Sequence, residues 1–241
     1  IPRSLIYATI AMEDKNFYAH SGVDLYGIAR AGVAFVQKRE VQGGSTITQQ
    51  LIKNTLLTPE RTLTRKVKEI VLAFWAERIY SKDEILQMYF NEVPYGGPAW
   101  GISAASKTYF GKDPKDLSLA ESTYLAGLPA SPTVYSPYGS NPELGKSRQK
   151  EVLRRMVEDN YISREEADKA TSEELVIKPP TSEIKAPHFV MYLRSILAEK
   201  YGEKTVSQGG LKVYTSLDLS LQQAAEKIVA DEVDKLGYLN V

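Results

Sequence analysis

Apolar residues recur along this chain mostly at helical spacing. Leu5, Ile6, Ala8, Thr9, Ile10 and Met12 follow Pro2 and predict a first helix with proline near its first position. That run ends in the stretch AMEDKNFYAHSGVD, residues 11–24, which places Glu13 and Asp14 at the helix C-terminus. Acids are unfavourable there, by about 0.5 kcal/mol each when exposed, because the helix dipole is negative at that end. Residues 24–38 are apolar and partly helical, with Arg30, Lys38 and Arg39. Gly43-Gly44-Ser45-Thr46 is a turn, followed by a helical run to Leu57, and Thr58-Pro59 marks another helix entry. Residues 64–80 read as a helix whose apolar stripe is Val67, Ile70, Val71, Phe74, Trp75 and Ile79. Three capping boxes follow: Ser81 with Glu84, Ser118 with Glu121, and Ser163 with Glu166. Asn141-Pro142 is a further helix start.

The pattern changes near Lys178-Pro179-Pro180. A helix through Phe189 to Tyr201 is followed by Gly209-Gly210, and then LKVYTSL alternates as a strand does. Asp218 caps a last helix. One strand is not stable alone, so this part reads as the first element of a further domain. The fold class is therefore mainly α, with a short α/β C-terminal fragment.

Composition is that of a folded domain, with 43% hydrophobic and 25% charged residues among 241. Thirty basic residues balance thirty acidic ones, so no global field points to nucleic acid. The absence of cysteine excludes disulfides, thiolate metal sites and cysteine nucleophiles. No apolar run approaches the roughly 18 residues of a membrane-spanning helix. The opening Ile1-Pro2 reads as the start of an excised piece.

Four groups of residues carry candidate chemistry. Glu13 and Asp14 lie beside Phe17 and Tyr18, where desolvation would raise a carboxylate pKa toward that of a general acid or base; a solvated helix end is the plainer reading. In GGSTITQQLIKN, residues 43–54, Thr46, Gln50 and Lys53 or Asn54 share a helical face. Such a face suits a sugar chain ending in phosphate, or is simply a polar surface. Arg61 and TRKVKE add Arg65, Lys66 and Glu69; with Lys53 they make four cations around one acid, which would stabilise a departing diphosphate. Tyr89, Phe90, Tyr95 and Trp100 suit either sugar stacking or the core, and core is the better fit for most. His20 reads as holding a loop. Two histidines, His20 and His188, make no metal cage and no Ser-His-Asp set.

The ordered set resembles the glycosyltransferase module of class A penicillin-binding proteins, glycosyltransferase family 51. The family's motifs fall on Glu13-Asp14, Phe17, His20, Gly22 and Asp24; on residues 43–50 with Lys53 and Asn54; on Arg65, Lys66 and Glu69; on Lys82, Ile85, Leu86, Tyr89 and Asn91; and on Arg148 with Val152 and Leu153. The tail, GGLKVYTSLD with LQQAAEKIV, looks like the entry to a transpeptidase domain whose serine motifs are absent here, so no reaction with β-lactams is expected.

The resemblance implies a lysozyme-like, two-lobed fold over 1–205, with a membrane-proximal jaw lobe roughly at 24–60 and a linker at 206–241. It implies polymerisation of lipid II into β-1,4-linked glycan with inversion and release of undecaprenyl diphosphate, at the outer face of the bacterial cytoplasmic membrane. Glu13 would be the general base and Glu69 the second catalytic acid, organising cations or holding a divalent cation, Mg or Mn, on the diphosphate. Asp14, Ser45, Thr46, Gln50, Lys53, Asn54, Arg61, Arg65 and Lys66 would bind substrate. No organic cofactor and no nucleic acid are implied. The implied partners are lipid II, the lipid-linked glycan strand, the membrane surface and cell-wall synthesis proteins. A lysozyme-like glycan-cleaving enzyme and a non-catalytic module binding lipid-linked precursor are the rival readings. A glycosidase has no need of the diphosphate cations.

Overall fold

The structure, a computed structural model, describes residues 1–24, 44–57, 62–97, 99–139, 141–179, 185–208 and 211–235. It divides into two compact units, Ile1–Pro180 and Thr181–Val241. The first compact unit ends at Pro180, and the helices that follow group with the second unit. The segment expected to form the jaw, with Arg30, Lys38 and Arg39, falls largely outside the described residues.

Helix α1 (Arg3–Glu13) buries Leu5, Ala8, Thr9, Ile10, Ala11 and Met12 and ends at Asp14, whose φ of −159° and ψ of 73° leave the helical region. It packs against α6 (Leu119–Gly127), which lies in turn against α8 (Glu143–Glu158). Helix α6 is the centre of the unit, and even its polar Glu121, Ser122 and Thr123 are buried. Those groups are satisfied locally. Ser122 shares a hydrogen bond with Ser4 at 3.0 Å, and Lys112 donates to Glu121 at 2.7 Å. Gln149 of α8 donates to the Ala120 carbonyl at 2.9 Å. Close approach of α8 depends on Gly145, where a Cβ would stand 2.5 Å from the Tyr124 hydroxyl and 2.6 Å from the Tyr135 carbonyl.

On the other flank, α2 (Ile47–Leu56) packs on α3 (Leu63–Ile79) and α4 (Lys82–Glu92). Helices α5 (Gly101–Tyr109), α7 (Pro132–Tyr135) and α9 (Arg164–Ser172) complete the unit. Phe17, Ile47, Ile85, Tyr89, Phe90, Tyr95 and Tyr109 join the α1 residues in one core. Burial of each such large side chain stabilises by about 1.5–3 kcal/mol. All three expected capping boxes form. A fourth, Thr46 with Gln49, starts α2.

The stripe read on α3 faces outward. Val67, Val71, Phe74, Trp75 and Ile79 are all exposed, Val67 at 61% and Ile79 at 68%. The buried face is instead Ala73 and Glu69. Only a small residue fits there, because the Gly22 turn sits directly on the α3 backbone: a Cβ on Gly22 would be 2.7 Å from the Ala73 carbonyl oxygen.

In the second unit, α10 (Pro187–Tyr201), α11 (Glu203–Gln208) and α12 (Leu219–Lys235) are helical. Asp218 caps α12 as expected, accepting from the Ser220 and Leu221 amides at 2.9 and 3.2 Å. Residues 211–217, expected as a strand, pair with no partner strand among the described residues. An isolated strand has no ladder to hold it.

Candidate active site

A cleft of about 880 Å³ runs between the end of α1, the start of α2 and one face of α8. Glu13, Asp14, Ser45, Thr46, Gln50 and Lys53 line one wall; Arg148, Glu151, Arg154 and Arg155 line the other.

Glu13 is delivered by the last turn of α1. The residue as a whole keeps some exposure, yet its Oε1 is buried with no hydrogen-bond partner among the described residues. Its Oε2 accepts from Gln50 Nε2 at 2.7 Å. Burial holds the Glu13 pKa above the ordinary carboxylate range; the Gln50 bond and the charges of Arg148, Arg155 and Lys53 oppose that rise without cancelling it. Tyr89 extends the contact, donating its hydroxyl toward Gln50 Oε1 at 3.4 Å. Tyr89, Phe90 and Tyr95 are buried core residues, not exposed platforms.

Asp14 points into the protein. Both its oxygens lie 2.9 Å from His20 Nε2, and Oδ2 accepts the Ile47 amide at 3.0 Å. It ties the loop to the positive end of α2. His20 thus holds the loop, as its place in the sequence suggests. Thr46 also lines the cleft, but its hydroxyl donates to the Gly22 carbonyl at 2.7 Å and accepts from Gln49 N at 3.1 Å, so it is committed to capping.

Lys53 is exposed on the cleft wall and makes no ion pair among the described residues. An ammonium on the wall of a cleft, with no ion-pair partner among the described residues, suits an anionic ligand. Asn54 is half-buried and outside the cleft lining. Arg61 lies outside the described residues.

Arg65, Lys66 and Glu69 form a cluster of their own on α3. Arg65 Nη1 donates to Glu69 Oε2 at 3.0 Å, and Lys66 pairs with Oε1. Lys66 Nζ also donates to Ser45 Oγ at 2.9 Å, joining the cluster to the cleft. With one acid for two cations, the group carries a net positive charge. Glu69 is buried and gives both oxygens to those cations. That donor set does not fit a divalent ion, and among the described residues no three His, Asp or Glu could hold one.

On the α8 wall the sequence offers Arg148 as a motif position without a role, and Glu151, Arg154 and Arg155 not at all. Arg148 stacks over Tyr135, 5.3 Å from the ring centroid, with its Nε buried and without a partner among the described residues. Arg155 donates to the Met12 carbonyl at 3.1 Å and to Glu151 at 2.8 Å. The signal was present as helical spacing: positions 148, 151, 155 and 159 recur every three to four residues.

Residues 1–157 match the family model described as transglycosylase. The chain belongs to the transglycosylase family. It is 41% identical over 240 residues to penicillin-binding protein 1A of Aquifex aeolicus, covering 99% of this chain and 33% of that protein. It is 45% identical over 227 residues to penicillin-binding protein 1A of Neisseria lactamica, covering 93% of this chain and 28% of that one. The crystal structure of penicillin-binding protein 1A from Haemophilus influenzae aligns at a TM-score of 0.51 with 29% identity, over 75% of this chain and 24% of that chain. The chain thus spans a third or less of these relatives. A mainly helical, lysozyme-like transglycosylase agrees with the helices seen here. Among the described residues no helix is long and apolar enough to cross a membrane.

Proposed function

We propose that this chain is a peptidoglycan glycosyltransferase that joins lipid II units into β-1,4-linked glycan. The observation that carries the proposal is a buried carboxylate and an ammonium in one cleft: Glu13, whose Oε1 has no hydrogen-bond partner among the described residues, and Lys53, which makes no ion pair among them. Glu13 takes the proton of the acceptor 4-hydroxyl. The oxygen attacks the donor's anomeric carbon from the opposite face, the bond to undecaprenyl diphosphate breaks, and the diphosphate leaves with the electron pair. Lys53 and the positive Arg65–Lys66–Glu69 cluster meet that developing charge, and Ser45 and Gln50 line the sugar path between them. We place the reaction at the outer face of the cytoplasmic membrane, among cell-wall synthesis proteins; the likeness to relatives named penicillin-binding protein 1A supports the cell-wall setting.

Lys53→Met is expected to lower kcat/KM for lipid II polymerisation by about 10²-fold, measured as glycan chain formed and undecaprenyl diphosphate released. A glycan-cleaving enzyme would keep its activity on preformed strands in the same variant. The pH dependence has a definite sign. The base works ionised, and burial raises its pKa, so turnover rises with pH through a limb above the ordinary carboxylate range. A limb at or below the value of a solvated glutamate would exclude Glu13 as the titrating base.

A further inference from the structure

Glu77 is a buried carboxylate that the mechanism does not use. It lies on α3 with its side chain 3% exposed. Its Oε1 accepts from Thr48 Oγ1 of α2 at 2.5 Å, and its Oε2 accepts from Lys82 Nζ of α4 at 2.6 Å. His20 Nδ1, buried and without a hydrogen-bond partner among the described residues, faces Oε1 at 3.9 Å. One side chain therefore meets α2, α4 and the loop that carries Asp14. Lys82 is held from a second side, 4.4 Å from the Phe17 ring centroid.

We propose that Glu77 is a positioning residue for the transfer reaction, fixing the rotation of α2 through Thr48 and thereby the Gln50 amide that holds Glu13. Thr48 and Gln50 are two positions apart, about 200° around the helix. The back of α2 is thus pinned to Glu77 where its front meets the base. The Ile47–Asp14 bond anchors the end of α2 and its buried apolar residues pack on α3 and α4; the Thr48–Glu77 bond adds a directional tie against a small turn of the helix body. The cost of a turn falls on Glu13, because misplacement by about an ångström is enough to lose a positioned contact.

The consequence is read in the titration of Glu13. The groups facing it are Gln50 and Lys53 from α2, Arg148 and Arg155 from α8, and Tyr89 and Tyr95 from and just after α4. The Gln50 bond favours the charged form. Weakening it moves the acidic limb of the rate profile upward.

The inference rests on Glu13 being the base of lipid II polymerisation, so Glu13→Gln is run beside it. Polymerisation by wild type, Glu77→Gln, Thr48→Val and Gln50→Leu is measured across pH, with thermal unfolding to verify folding. Thr48→Val removes one hydroxyl at nearly constant volume and keeps the test alive if Glu77→Gln unfolds. Thr48→Val and Glu77→Gln are expected to lower kcat about tenfold, with KM within about twofold. Their acidic limbs should move up in the same direction as that of Gln50→Leu. Thr48→Val combined with Gln50→Leu should add no further displacement. Folded Thr48→Val with an unmoved limb, whatever its turnover, would overturn the inference and reduce Glu77 to a structural role. If wild type polymerises and Glu13→Gln does not, that failure belongs to the inference alone. If wild type makes no polymer, the functional reading fails and takes the inference with it.

Discussion

Glu13→Gln is expected to lower lipid II polymerisation by about 10³-fold or more in kcat, with the substrate still bound. The amide is close to isosteric and keeps a contact to Gln50, so the wall of the cleft is preserved. What is lost is a carboxylate that is buried, basic for its type and, among the described residues, without a partner on one oxygen. Neighbouring acids cannot replace it: both oxygens of Asp14 are engaged by His20 and the α2 amide, and Glu151 is held down to about 2 by Arg154 and Arg155. Single-turnover kinetics with labelled lipid II checks this. A variant that binds and turns over as wild type does would remove Glu13 from the mechanism.

Gly22→Ala is expected to destabilise the first unit by about 3 kcal/mol, a sizeable part of the 5–15 kcal/mol available to a folded domain. The backbone there has φ of +90°, which costs an alanine about 1–2 kcal/mol. The new Cβ would also stand 2.7 Å from the Ala73 carbonyl oxygen and 2.8 Å from its carbon, both in rigid helix backbone. Such overpacking costs about 1–3 kcal/mol. The Gly22 carbonyl accepts the Thr46 hydroxyl, so strain at this turn passes to the cap of α2 and the cleft. Denaturant unfolding measures the loss. A change below about 0.5 kcal/mol, the range of neutral surface substitutions, would mean that the turn relaxes freely.

Local chemistry made much of the fold legible. Capping boxes at Ser81, Ser118 and Ser163 state their own helix starts, because the reciprocal hydrogen bonds need only residues three apart. The orientation of α3 was not legible. Its apolar stripe is genuine, but the face that turns inward was selected by the tight Gly22 contact and by a polar network of Glu69 and Glu77 that only tertiary structure assembles. Glu77 meets partners at positions 20, 48 and 82, which no local pattern joins. For the same reason Asp14, which reads as a second cleft acid beside Glu13, turns out to be the anchor of α2. The pairing of Lys66 with Ser45 likewise joins residues 21 positions apart. Arg148 carried a motif match but no local reason for its role; its stacking on Tyr135 and nearness to Glu13 come from the packing of α8.

The most direct test offers the purified protein lipid II in one reaction and preformed, lipid-free glycan strands in another, and identifies the products by linkage and by the phosphate released. The structure predicts β-1,4-linked polymer from lipid II, one undecaprenyl diphosphate per bond formed, and no cutting of the preformed strands. Cleaved strands, or lipid II bound but left intact by folded protein, would contradict the account.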